Sequence, residues 1–373
     1  MPSLDLAMPI ALLIVVTVAL LLNKRAESKL VASVEQKEFK TRDIFLLIVF
    51  IAIAISVIAF TSMISPGDVF PNILMLVFLS SYTMLLFTFS HVFSNITRKR
   101  AQLLSAGFGT ASLIVGLVSL TGQLADAYTL YRVIAFFALS AVGFGVVAYE
   151  QKNRPPKARW YLAAQPPALF VLLFAFFNIL YGGTLSVWFP ILMDVFGFTF
   201  AILIILYLSS LFNWKTVGIF AILLTVLDVI LVFSGPMVTA ARTFTGLGLP
   251  VLVYLPNFPI ITQAGGEIAL RGLGLGDFFF AGILAVQTFK KFGQKTGLIS
   301  AAAMAVAFGI WEAFLPEITK FFNIGGFPAT VCIITGWLPI VAWKLIRTRN
   351  QPEAVVVVEQ QPAPSTEPQA NPL

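Results

Sequence analysis

One cysteine, one histidine and few charges are what this 373-residue chain has least of, and each shortage removes a class of function. Cys332 alone cannot form an internal disulfide or a multi-cysteine metal site, and it lies in an apolar run where packing accounts for it. His91 ends another apolar run and leaves a His-based metal cluster or a Ser-His triad short of parts. No metal and no cofactor is therefore expected. Charged residues make up only 11% of the chain, against roughly 25% in soluble domains. The net charge of +7 falls mostly in short Lys/Arg clusters between apolar runs, a pattern that reports topology and does not suggest nucleic-acid binding. No cleavable signal peptide is expected at "MPSLDLAMPI", because Asp5 stands where a basic region would be and no small-residue cleavage site follows.

What is abundant is apolar: 58% of the residues are hydrophobic. Runs of about 17 to 25 mostly apolar residues are membrane-spanning candidates, and eleven occur, near 6–22, 44–64, 70–92, 103–124, 130–149, 168–188, 191–212, 216–235, 272–289, 297–315 and 327–346. The expected fold is an all-α, polytopic transmembrane helical bundle. Its first span is read as a short membrane anchor. Pro190 is read as the break between the sixth and seventh spans, with Trp188 at an interface. The loops test this division. One set holds Lys24, Arg25, Lys29, Lys37, Lys40 and Arg42, then Arg98, Lys99 and Arg100, then Lys152, Arg154, Lys157 and Arg159. It continues with Lys215, with Lys290, Lys291 and Lys295, and with Lys344, Arg347 and Arg349. Only Arg132, Arg242, Arg271 and Lys320 of the 24 basic residues fall elsewhere, and the turns of the opposite set carry Asp68, Asp126 and Asp194. The basic side is cytoplasmic by the positive-inside rule, which puts the N-terminus outside and the C-terminus in the cytoplasm. The Pro- and Gln-rich residues 350–373 read as a disordered cytoplasmic tail.

Three carboxylates inside spans stand out, because a charged Asp at the centre of a membrane helix costs about 2.5–3.5 kcal/mol. They are Asp228 in "LLTVLDVILVF", Asp277 in "RGLGLGDFFFAG" and Glu312 in "FGIWEAFLPE". At ~1.5 Å per residue Asp228 lies about 10 Å below the outer end of its helix, and Asp277 lies about 8 Å below the same face on the next, antiparallel span. Glu312, close to Pro316 and the outer interface, reads as a packed or snorkelling residue. Two facing acids in a low-dielectric site cannot easily both ionise, so they tend to share one proton. The ionised partner can then take a proton from water while the protonated one polarises a peptide carbonyl, with no metal or nucleophilic side chain. Gly272, Gly274 and Gly276 alternate ahead of Asp277, loosening the expected helix start and letting a substrate backbone approach. The phenylalanines after it are expected to face lipid and neighbouring helices.

These residues resemble a known family. "LGLGDF" at 273–278 is similar to the GxGD motif of presenilin and signal peptide peptidase, the intramembrane aspartyl proteases. Leu227-Asp228 occupies the place of that family's YD motif, with leucine for tyrosine. Phe327-Pro328-Ala329-Thr330 sits where its PAL motif opens the last helix, with threonine for leucine. "PMVTAARTF" and "LPVLVYLPNF", between the acids, look more like signal peptide peptidase than presenilin. The resemblance covers about residues 213–346, and the family's usual nine helices are two fewer than the spans counted above.

The resemblance implies an intramembrane aspartic endopeptidase with Asp228 and Asp277 catalytic. Gly274, Gly276, Pro328, Ala329 and Thr330 would shape the site. It divides the chain into N-terminal transmembrane helices (1–212), catalytic transmembrane helices (213–349) and the tail. The orientation implies single-span substrates with the N-terminus inside, signal peptides among them; the lipid bilayer is the other expected partner, and an obligate partner subunit is not implied. The run 251–255 reads as an edge strand for an unwound substrate. Compact loops, with no Asn-x-Ser/Thr site in an external one, favour the plasma membrane of a prokaryote, an archaeon in particular. The alternative functions are a proton-coupled transporter using the same paired acids, for which no repeat with broken helices is visible, and a non-enzymatic binding protein.

Overall fold

A computed structural model of the chain describes residues 5–33, 38–64, 69–121, 128–152, 159–180, 187–260, 269–322 and 326–349. Lys37, Asp68, Asp126, Arg154, Lys157 and the tail from 350 lie outside the described residues. The helices α1 (Ala7–Ser33), α2 (Thr41–Ile64), α3 (Val69–Val92), α4 (Arg98–Leu120) and α5 (Thr129–Lys152) come first. A crossing at Trp160–Leu180 follows, built from α6 (Trp160–Ala163), α7 (Gln165–Phe174) and a π-helical turn. The next, Trp188–Ser209, opens with a π-helical turn and continues as α8 (Met193–Ser209). Then come α9 (Trp214–Ser234), α10 (Pro236–Gly246), a hairpin of β1 (Leu252–Pro256) and β2 (Leu270–Gly274), α11 (Leu275–Phe292), α12 (Gln294–Phe322) and α13 (Ala329–Arg349).

Among the described residues ten of these segments are long and apolar enough to cross a membrane, and the protein is an integral membrane protein with a nearly all-α fold. Helices are the expected answer, since a bilayer offers no partner for backbone N–H and C=O groups. The one expected span not among these ten, 272–289, corresponds to α11, whose 18 residues carry Asp277, Lys290 and Lys291. It is the innermost helix: Phe278 and the whole run from Phe280 to Thr288 are buried. Around it stand α1, α8, α9, α12 and α13. One hydrophobic core joins residues from Met8 to Val341 across the 212/213 division, whereas α4 and α5 pair mainly with each other at the side of the bundle.

The structure corrects several expectations. The first span is no short anchor. Helix α1 continues through its basic turn to Ser33 and packs on α8, α11 and α12, with Leu12, Val15, Val16 and Ala19 buried. Pro190 stands in the first turn of the crossing that opens at Trp188, where a missing N–H leaves no bond unmade. Trp188, the first residue of that crossing, is buried, and its indole N–H donates to the Gly248 carbonyl at 2.7 Å. The link after α9 is ordered into α10, whose buried Ala240 packs with Ile58 and Leu74, and into the hairpin. Asp194 is not a turn acid: it lies in the first turn of α8 and accepts the Tyr254 N–H at 2.7 Å.

Helix α11 begins at Leu275 and not near Gly272. "LRGLG" has period two and two glycines, which weaken a helix, while its partner "LVYLP" offers β-formers. The strands pair antiparallel with Val253 opposite Leu273 and Tyr254 opposite Gly272.

Candidate active site

Asp228 is set by a helix with strong ends. Asn213 accepts the Thr216 N–H at 3.0 Å while its own N–H donates to the Thr216 hydroxyl at 2.9 Å, a reciprocal cap at the start of α9. Gly235, at φ 98°, closes the other end in the left-handed conformation that glycine tolerates. Between these caps the apolar run continues, and Asp228 is its one acid, only 7% exposed. It finds a partner in the first turn of α13. The Thr330 hydroxyl donates to Asp228 Oδ2 at 2.7 Å, and the Thr330 backbone N–H approaches the same oxygen at 3.4 Å.

Asp277 lies in the first turn of α11, immediately after β2, where a carboxylate complements the partial positive charge of a helix start. A side chain at residue 274 would meet Asp277 Oδ2 at 3.3 Å, so glycine there leaves the carboxylate room. Both carboxylates open on one chamber of about 400 Å³. A second chamber of about 340 Å³ adjoins it, sharing Gly276, Asp277 and Phe279 and reaching Gly274. The walls are apolar, with Ile55 from α2, Phe78 from α3 and Met237 from α10.

The residues expected to shape the site divide. Gly276 and Thr330 line the first chamber and Gly274 the second. Pro328 and Ala329 stand behind Thr330 at the opening of α13, where the Pro328 carbonyl accepts the Val331 N–H at 3.2 Å. Leu227 presents an apolar side chain to the chamber, so the hydroxyl beside Asp228 comes from residue 330. Phe278 and Phe280 are fully buried and Phe279 is on the chamber wall, so none of the three simply faces lipid.

The hairpin runs into Asp277. Val253 and Leu255 of β1, with the flanking Val251 and Asn257, turn their backbone groups toward the β2 side, seen in Leu275 N–H to Val251 O (2.9 Å) and Asn257 N–H to Ala269 O (3.1 Å). Tyr254 turns its N–H outward, onto Asp194. The outer edge of β1 is thus occupied, contrary to its expected role. The outer edge of β2 is formed by Leu270, Gly272 and Gly274, of which Leu270 and Gly272 are exposed. Tyr254 lies over Gly272, where a Cβ would come within 2.8 Å of its ring.

Sequence reasoning missed what holds this hairpin. Arg271 reaches Glu312 Oε1 at 2.9 Å and Asp5 Oδ2 at 3.7 Å, and Asp5 Oδ1 accepts the N–H groups of Ala7 (3.0 Å) and Phe258 (2.8 Å). Glu312 is therefore an ion-pair partner that ties α12 to β2. The signal was present: Arg271 is one of only four basic residues on its side, and a buried acid must have a partner. Among the described residues no group of three His, Cys, Asp or Glu is placed to hold a metal ion. Cys332 is buried, with its thiol toward the Pro328 carbonyl.

Scanned against protein-family models the chain matches none, and no curated protein is similar to it at a significant level. The class that fold and site define is a polytopic membrane protein with two aspartates on one internal chamber.

Proposed function

We propose that the protein is an intramembrane aspartic endopeptidase of the presenilin and signal peptide peptidase type, closer to the latter, acting on single-span helices. The observation that carries this reading is the opening of Asp228 and Asp277, from consecutive transmembrane helices, onto one chamber. The motif order supports it too, and its two departures complement each other: the hydroxyl absent at Leu227 is supplied beside Asp228 by Thr330.

In this mechanism the two acids share one proton. The ionised carboxylate takes a proton from water as the water oxygen attacks the scissile carbonyl carbon, and the other acid gives its proton to the carbonyl oxygen. The tetrahedral diol then collapses: the C–N bond breaks, a proton passes to the leaving amine, and the dyad returns to its starting state. Thr330 holds one oxygen of Asp228 and leaves the other to the reaction. The substrate must unwind first, because a helix keeps its carbonyls in hydrogen bonds. Its extended segment adds to the outer edge of β2 and leads into Asp277. The apolar chamber walls suit the side chains of a membrane helix.

The excess of basic residues on one side supports an N-terminus outside and a cytoplasmic C-terminus, and the compact loops support the plasma membrane of a prokaryote. Substrates would then have their N-terminus inside, as type II anchors and signal peptides do. Single cysteines at 243–258 test this orientation: impermeant reagents should label them from outside intact cells, and protection would reverse it. Proteoliposomes carrying a single-span reporter test the activity. New peptide termini without proton uptake support the protease, whereas substrate-driven proton uptake without products would favour a transporter.

A further inference from the structure

A second concavity opens at the other end of the bundle. It is a groove of about 830 Å³ between the C-terminal halves of α1, α3 and α8 and the start of α4. Asp228, by contrast, lies in the last third of α9, which starts at the end where α8 finishes, so the bundle separates the two features. The groove is apolar in its depth, where Leu22, Leu86, Phe89, Ile202 and Leu206 line it. Its mouth carries three cations, Arg25 and Lys29 one turn apart on α1 and Arg100 in the first turn of α4.

None of the three has a carboxylate partner among the described residues. Glu27, the acid between Arg25 and Lys29, is engaged elsewhere: it accepts from Lys290 at 2.7 Å and from the Asn23 side chain at 3.3 Å. Lys29 instead lies 4.7 Å from the centre of the Phe93 ring, an apolar surface that leaves its charge unneutralised. All three belong to basic clusters at one end of the helices, at the depth of lipid headgroups if the positive-inside reading holds. An apolar cleft open to the bilayer, with a triad of unpaired cations at its rim, is complementary to an amphiphile with an anionic head.

We propose that this groove is a binding site for an anionic phospholipid. Arg25, Lys29 and Arg100 hold its phosphate and the cleft between α1, α3 and α8 takes an acyl chain. Since α1 and α8 both pack on α11, the lipid would brace two of the five helices that surround the helix bearing Asp277.

Native mass spectrometry of the purified full-length protein, released from micelles doped with equal amounts of phosphatidylglycerol and phosphatidylcholine, tests the site. Wild type should retain phosphatidylglycerol in preference. Arg25→Gln/Lys29→Gln/Arg100→Gln should lose that retention by about tenfold or more, since each cation near an anionic headgroup adds to the affinity. Thr199→Trp, which fills the groove and keeps the cations, should lose it too, whereas Lys344→Gln/Arg347→Gln, at a distant basic cluster, should retain it. Equal retention of the two lipids, or undiminished phosphatidylglycerol retention in the triple variant, would overturn the site. Undiminished retention in Thr199→Trp would overturn the groove as the place of binding.

Discussion

Thr330 and Asp228, 102 positions apart in sequence, meet through a 2.7 Å hydrogen bond that joins the first turn of α13 to the last third of α9. A hydrogen bond to a charged group contributes about 1.5–3 kcal/mol, and this one fixes a group proposed to handle protons. Thr330→Val keeps the side-chain shape and removes the donor. It should lower kcat for reporter cleavage by about tenfold to a hundredfold, whereas Thr330→Ser should stay close to wild type. Equal kcat in Thr330→Val and wild type would reduce the contact to a structural one.

Arg271 and Glu312 predict a stability effect. Arg271 is a quarter exposed and Glu312 is buried, so Arg271→Gln leaves an acid without its cation. Breaking such a pair costs about 3 kcal/mol, read as a lower unfolding temperature in detergent. Adding Glu312→Gln to Arg271→Gln should recover part of the loss, because the closer of the two stranded acids is then neutral and only Asp5 is left without its cation. A double variant no more stable than Arg271→Gln would contradict this account.

Gly272 and Tyr254 should be energetically coupled. A methyl group at 272 would meet the tyrosine ring at 2.8 Å, and residue 272 lies three positions before the start of α11. Gly272→Ala should slow cleavage several-fold, and the same substitution in a Tyr254→Ala background should cost less. A cycle with no coupling energy would show that the close approach does not constrain the hairpin.

The proton economy of the dyad predicts a bell-shaped dependence of kcat/KM on pH. Activity should fall in acid, when both carboxyls carry protons, and in alkali, when neither does. The two limbs belong to the pair and not to either residue. A profile with a single limb would mean that one acid alone titrates in the rate.

The helical bundle was legible in the sequence because an apolar run of about 20 residues has few alternatives in a bilayer. The aspartates stood out because charge is costly there. What escaped was mostly a contact between distant residues. Nothing local in "FPAT" says that Thr330 will face Asp228, and Asp5 cannot be matched to Arg271 without the packing of α1 on α12. The hairpin was half legible: "VLVYL" announced a strand, but the alternating glycines read as a loosened helix because their partner lay elsewhere in the chain. The free edge of the hairpin is that of β2, because Asp194 accepts the Tyr254 N–H on the outer edge of β1.

The central claim is that Asp228 and Asp277 together hydrolyse a peptide bond within the membrane. Purified wild type, Asp228→Ala and Asp277→Ala, each reconstituted in lipid with a single-span reporter, should be compared by mass spectrometry of the products. Wild type should yield two fragments whose new termini fall within the reporter helix, and each alanine variant should yield none at equal folded concentration. Cleavage by either variant at the wild-type rate would contradict the account.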